Sequence, residues 1–228
     1  YLTFPWVQDK TETLAYAMAD SPMGPFTFTG IIMDESPSGC WTNHHSITEY
    51  NGQWYLFYHH NDYSPNFDKN RSARIDSLFF NTDGTIKKVK PTLRGVGITD
   101  ARSKIQIDRY STISPYGVTI DYLEPSNTFE GWQTLFNRAG TWVTYNKVDF
   151  GTTPVKRLKA RVRSEKGGAI TLRTPGEKGM TIAELPIKPT GKWTEISTNV
   201  SNAPTSMQDL IITQTGENPV AVDWISFE

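Results

Sequence analysis

The stretch Cys40 to His60, CWTNHHSITEYNGQWYLFYHH, decides how the chain is read, because two strand-like runs and a turn fill little more than twenty residues. Ser46 to Tyr50 and Gln53 to Tyr58 are rich in β-branched and aromatic residues, and the Asn51-Gly52 pair between them is the strongest short-range signal for a tight antiparallel hairpin. His44 and His45 open the first run while His59 and His60 close the second, so antiparallel pairing predicts all four histidines at one end. Imidazoles grouped in this way can bind a metal, hydrogen-bond a sugar, or stand as solvated strand ends. No Cys or carboxylate lies at a zinc-like spacing from them, so the pattern by itself favours solvated strand ends.

Composition sets the frame around that hairpin. The 228 residues suffice for two ordinary domains, each with its own core. A net charge of −1 supplies no basic footprint, which argues against a nucleic-acid partner. Cys40 is the only cysteine, so no intrachain disulfide framework is expected. No apolar run approaches the ~20 residues of a membrane span, and no signal peptide opens the chain. The opening Tyr1-Leu2-Thr3-Phe4 reads as mid-strand, so the sequence is expected to be cut from something longer. Seven Trp, ten Tyr and eleven Phe, together with 17 Gly, 14 Pro and no sustained helical period, predict an all-β protein of short strands and turns.

The first hundred residues repeat a strand, turn, strand theme. YAMADSPMGPFTFTGIIM is broken by a Pro/Gly turn at Asp20 to Phe26, TNHHSITEYNGQWYLFYHH by Asn51-Gly52, and NRSARIDSLFFNTDGTIKKV by Thr82-Asp83-Gly84-Thr85. Four-stranded units in series are the pattern of propeller blades. These three segments, in this order, resemble the C-terminal blades of the five-bladed propeller of glycoside hydrolase family 43, in particular its arabinofuranosidase and xylosidase members. The likeness covers residues 1–97.

That resemblance implies a sugar held in a central funnel and hydrolysed with inversion by an Asp base, an orienting Asp and a Glu acid. All three would lie on earlier blades, so no catalytic residue is expected in this chain. Two funnel positions are implied to survive: His44, facing the central axis beside an ion or water, and Arg71, lining the sugar pocket. Arg71 closes an Asp68-Lys69-Asn70-Arg71 run that also reads as plain solvated loop. Asp76, inside an apolar strand, and Asp83, in a turn that favours Asp, read as structural. Glu12, Asp20, Glu35, Glu49 and Asp62 show no catalytic pairing.

Leu93 to Lys104, LRGVGITDARSK, is polar and contains glycines, which places a domain boundary near residue 98. Beyond it, runs at 158–163, 169–173, 181–185, 194–200 and 209–213, separated by Gly, Pro, Asn and Ser, predict a β-sandwich of jelly-roll type over residues 98–228. IQIDRYS, NRAGTWVTYNKVDFG, GKWTEIS and AVDWISF resemble carbohydrate-binding module family 6. By that resemblance Phe136 and Trp193 are the aromatic pair of a sugar-binding cleft, while Trp142 and Trp224 belong to the core. The family's Asn two residues before the last Asp is Ala221 here, so one hydrogen bond to the sugar would be lost. The family also implies a structural calcium, held by Gln106 and Asp108, two apart on one strand face, and by Asp223 in the closing strand.

Three readings follow. The chain is the C-terminal part of a hydrolase acting on arabinoxylan or related plant cell-wall polysaccharide, completed by an N-terminal propeller segment that stands upstream or on a separate chain. Alternatively it is a non-catalytic carbohydrate-binding protein using the sandwich cleft. Thirdly, exposed sheet edges would let two chains complete each other. A polysaccharide partner favours an extracellular location.

Overall fold

The structure, a computed structural model, describes residues 1–62, 71–176 and 179–228. It is almost wholly β, and the chain separates into two compact units, Tyr1–Val96 and Gly97–Glu228. Among the described residues no helix is long and apolar enough to cross a membrane.

The first unit holds two antiparallel meanders of blade type. Strands β1 (Leu2–Val7), β2 (Glu12–Met18) and β3 (Thr27–Met33) form one sheet, and β4 (Ser46–Tyr50), β5 (Gln53–His60) and β6 (Ser72–Leu78) form the other. Each has three strands among the described residues where the sequence pattern predicts four. The segment after β6 turns at Asn81–Gly84 and returns with a single bridge between Phe80 and Ile86. It then leaves that sheet, and the Val89 amide donates to the Ile32 carbonyl at 2.7 Å, tying the segment to β3. Leu14, Tyr16, Ile32 and Met33 pack with Leu56, Tyr58 and Leu78 into one core shared by the two sheets.

The hairpin forms in the predicted register, with Ser46 opposite Phe57 and Tyr50 opposite Gln53. Asn51 (φ 51°) and Gly52 (φ 76°) both adopt the left-handed region that a mirror-image turn needs. A Cβ on Gly52 would meet nothing within 4 Å, so Gly52→Ala is expected to cost only its backbone penalty, about 1 kcal/mol. A urea midpoint shift of that size without a change in slope would confirm it.

On β6 the alternation points Arg74, Asp76 and Leu78 inward. Asp76 accepts the Tyr58 hydroxyl at 2.6 Å, the Thr92 hydroxyl at 2.6 Å and the Thr92 amide at 3.0 Å. Burial and this carboxylate both push the Tyr58 phenol far above its ordinary pKa. Asp83 accepts the Thr85 amide and hydroxyl at 3.0 and 2.7 Å, as a turn Asp should.

Among the described residues the second unit is a sandwich of two six-stranded sheets. Its strands are β7 (Thr99–Asp100), β8 (Ile105–Gln106), β9 (Thr112–Ile113), β10 (Val118–Tyr122), β11 (Trp132–Phe136), β12 (Trp142–Asp149), β13 (Arg157–Arg163), β14 (Gly168–Arg173), β15 (Thr181–Ile187), β16 (Thr194–Asn199), β17 (Met207–Gln214) and β18 (Val220–Phe227). One sheet runs β10-β11-β18-β13-β16 with β8 on β18, the other β15-β14-β17-β12-β7 with β9 on β12. Leu158, Ala160 and Val162 of β13 meet Ile170, Leu172, Leu210 and Ile212 as the inward-facing halves of alternating strands. Trp142 departs from expectation: Val143 and Tyr145 take the core positions of β12, and Trp142, one residue out of phase, is half-buried. Trp224 is buried, as expected.

β18 carries a bulge. Arg161 pairs with Trp224 and Val162 with Val222, so Asp223 is the extra residue between them. Its carboxylate accepts from Arg161 Nη1 at 2.6 Å.

Candidate functional site

The hairpin of the first unit brings its histidines to one end, as the sequence predicts. The His44 amide donates to His59 Nε2 at 3.1 Å, and the two rings meet edge to face at 5.6 Å. His44 is exposed, whereas His59 and His60 are buried at the end of β5. Arg71 is also exposed, and its Nη2 donates to Thr42 Oγ1 at 3.3 Å. Residues 68–70 of the run that Arg71 closes lie outside the described residues. Desolvation holds the His59 imidazole below its usual pKa, and the charges of Arg71 and His44 push the same way. His45 is lowered too, by burial first and then by His44. Both rings are therefore neutral at physiological pH and offer lone pairs or N–H groups.

Behind this end lies a cavity of about 230 Å³, lined among others by Asn43, His59, His60, Asp62 and Arg74. His60 Nδ1 and Asp62 Oδ2 are 2.6 Å apart. The carboxylates of this unit have evident structural work besides Asp76 and Asp83. Glu12 accepts the Asn43 amide at 2.7 Å, and Glu35 accepts the Lys10 amide at 3.0 Å and the Thr11 hydroxyl at 2.8 Å. Among the described residues no three His, Cys, Asp or Glu side chains are placed to hold a metal together.

In the second unit the structure corrects one of the two expected cleft aromatics. Phe136 is 0% exposed. It sits opposite Val118 and Val220 on the inner face of its sheet, so it fills the core and has no ring face to offer a sugar. Its neighbour Leu135 faces the other way, opposite Thr119 and Ala221, and Ala221 in turn stands opposite Arg163. Leu135, Arg163, Ser164, Glu165, Lys166, Asn218, Pro219 and Ala221 line a cleft of about 370 Å³.

Trp193 stands just before β16, half-buried, beside this cleft. The guanidinium of Arg163 lies 5.1 Å from its ring centroid and that of Arg161 lies 5.4 Å away. Its Nε1 is buried with no hydrogen-bond partner among the described residues. The expected pair thus becomes one tryptophan flanked by two arginines, with an aliphatic residue in the second place. Arg163 is the residue that family likeness overlooks, although the alternation of RLKARVR puts it on the outward face with Arg161.

The expected calcium ligands are distributed differently from the prediction. β8 ends at Gln106, so Asp108 lies beyond the strand, buried, while Gln106 is exposed; they do not share one strand face. Each of the two aspartates has an arginine beside it: Arg109 Nε is 3.1 Å from Asp108 Oδ2, and Arg161 Nη1 is 2.6 Å from Asp223 Oδ2. Burial raises the Asp108 carboxyl, Arg109 opposes that, and the Asp223 charge adds to it. Asp223 is raised by burial against the pull of Arg161 and Lys104.

The decisive comparison is with protein families: residues 114–228 match the model of carbohydrate binding module (family 6). The chain belongs to this family. Family 6 membership covers the sandwich, whose fold also matches a family 6 module from Clostridium cellulolyticum solved in complex with xylose. That match has 28% identity and a TM-score of 0.50, over 57% of this chain and 99% of that one. Relatives that match across both units exist as well. An arabinoxylan arabinofuranohydrolase of Paenibacillus polymyxa is 28% identical over 89% of this family 6 chain and 34% of its own length. A glycoside hydrolase family 43 arabinoxylan arabinofuranohydrolase from Bacillus subtilis, solved with cellotetraose, superposes at a TM-score of 0.64. It shares 24% identity over 94% of this chain and 47% of that one, which establishes the propeller-and-sandwich fold. The chain spans about a third of the length of the curated relatives it matches.

Proposed function

We propose that the protein is the C-terminal portion of a plant-polysaccharide glycoside hydrolase of the arabinofuranosidase or β-xylosidase type, acting on arabinoxylan or a similar polymer. The observation that carries this reading is a relative named for that activity whose similarity runs through both units in one order. In such an inverting reaction one carboxylic acid protonates the leaving oxygen while a carboxylate activates water on the opposite face. Those acids come from propeller blades outside these 228 residues, on the same chain or a separate one. The hydrogen-bonding duties of Glu12, Glu35, Asp76 and Asp83 support this division. Exposed His44, braced against His59, faces the funnel axis and its ion or water. Arg71, which donates to Thr42, reaches the sugar hydroxyls.

With the preceding blades present, His44→Ala and Arg71→Ala are each expected to lower kcat/KM on 4-nitrophenyl α-L-arabinofuranoside about ten-fold, the loss of a charged or well-placed hydrogen bond. Unchanged turnover in both would remove the funnel role.

Family membership favours a second reading, in which the sandwich by itself is the live part and binds plant cell-wall polysaccharide. Mobility in affinity gels containing xylan, compared with Trp193→Ala, separates the two: no retardation of either protein would count against it.

We further propose that Asp108 and Asp223, with an oxygen of Gln106, hold a structural calcium that ties the first strands of the sandwich to its last. Because both carboxyls are raised above their ordinary value, the metal-free unit loses stability as pH climbs through the window between ordinary and raised pKa. Calcium offsets this burial cost at neutral pH. Melting is therefore expected to rise by the equivalent of about 2.7 kcal/mol at a hundred times the dissociation constant, and not at all in Asp108→Asn. Identical melting with calcium and with EDTA would dismiss the site.

A further inference from the structure

We infer that the cleft of the second unit recognises a carboxylate-bearing sugar, a hexuronate, with Arg163 as its charge partner. This rests on the reading of that unit as a carbohydrate-binding module and names the class of sugar it takes.

A neutral pyranose is gripped by open aromatic faces, because its C–H face is apolar while its hydroxyls need directed partners. This cleft does not offer that grip. Phe136 is in the core, Leu135 and Ala221 supply a small aliphatic floor, and Trp193 has a guanidinium over its ring on either neighbouring row of β13. What the cleft does offer is charge. Of the two arginines, Arg161 is engaged by Asp223 at 2.6 Å. Arg163 has no carboxylate within ion-pair distance and no side-chain hydrogen bond among the described residues, although it lines the cleft. The Trp193 ring, 5.1 Å from the guanidinium carbon, holds the group beside the cleft, and a planar guanidinium with no side-chain partner among the described residues suits bidentate binding of a carboxylate.

The other polar groups fit this assignment. Lys166 and Glu165 also line the cleft, so its lining holds two cations and one carboxylate. Glu124 lies within electrostatic reach of Arg163, but its carboxylate is already accepting the Ser126 amide and hydroxyl at 3.1 and 2.8 Å. The Ser164 hydroxyl is already donating to the Pro219 carbonyl at 2.7 Å. Arg163 is thus the strongest donor left for a ligand.

The test uses the full chain and four immobilised or soluble probes: glucuronoxylan, polygalacturonan, and each of these after reduction of its carboxyl groups. Binding to at least one acidic polymer is expected to fall about ten-fold or more on carboxyl reduction and by a similar factor in Arg163→Gln, with partial recovery in Arg163→Lys. Thermal melting checks that each variant is folded. The two acidic polymers report whether the uronate is a side group on xylan or a backbone sugar. Equal binding of acidic and reduced polymers, or full binding by folded Arg163→Gln, overturns the inference while leaving the carbohydrate-binding reading in place. Absence of binding to all four overturns both.

Discussion

Phe136→Ala is expected to destabilise the second unit by about 4 kcal/mol, the usual cost of emptying a buried phenylalanine site. Phe136 ends β11 on the inner face, between Val118 and Val220, where the two sheets of the sandwich close on each other. On one side the space cannot close by collapse: β18 is hydrogen-bonded on both sides, by β11 and β13, and its Val220 and Val222 are fully buried. Chemical denaturation reads the change directly. The same substitution distinguishes core from cleft, because a cleft aromatic would show loss of ligand with stability nearly unchanged. A folded, normally stable Phe136→Ala protein would contradict the packing described above.

Asp76→Ala is expected to cost the first unit about 3 kcal/mol, since it strands three donors in a buried place. The Tyr58 hydroxyl, the Thr92 hydroxyl and the Thr92 amide all converge on this carboxylate. Arg74, which donates to the Thr92 carbonyl, would keep its position only if Thr92 did. Tyr58→Phe removes one donor and leaves the carboxylate two, so it should cost about 1 kcal/mol. Measuring both by urea unfolding, and finding the two losses equal, would show that the Thr92 contacts contribute nothing.

Much of the architecture was legible because it rests on local chemistry. Asn51-Gly52 specifies a turn with two left-handed residues, and the flanking runs then pair in only one register that buries Leu56 and Tyr58. The sandwich strands announced themselves by alternation between turn residues, and β13, β14 and β17 lie where those patterns put them. Two of the errors share one cause. In a strand, a displacement of one residue exchanges the faces. Assigning the cleft aromatic to Phe136 instead of recognising Leu135 as the outward residue moved a core side chain into a binding site. Placing Trp142 in the core was the same slip on β12. Gln106 and Asp108 were put on one face by assuming a strand that continues, whereas β8 stops at Gln106. The bulge at Asp223 and the guanidinium flanks of Trp193 depend on cross-strand partners distant in sequence, for which periodicity gives no signal.

The bond from the His44 amide to His59 fixes more than a contact. By accepting at Nε2, a neutral His59 must carry its hydrogen on Nδ1, which is buried and has no partner among the described residues. His59 is among the residues that line the small cavity there, so the imidazole it lends to that wall is held in one tautomer. It can accept at Nδ1 only if the ring first lets go of the backbone.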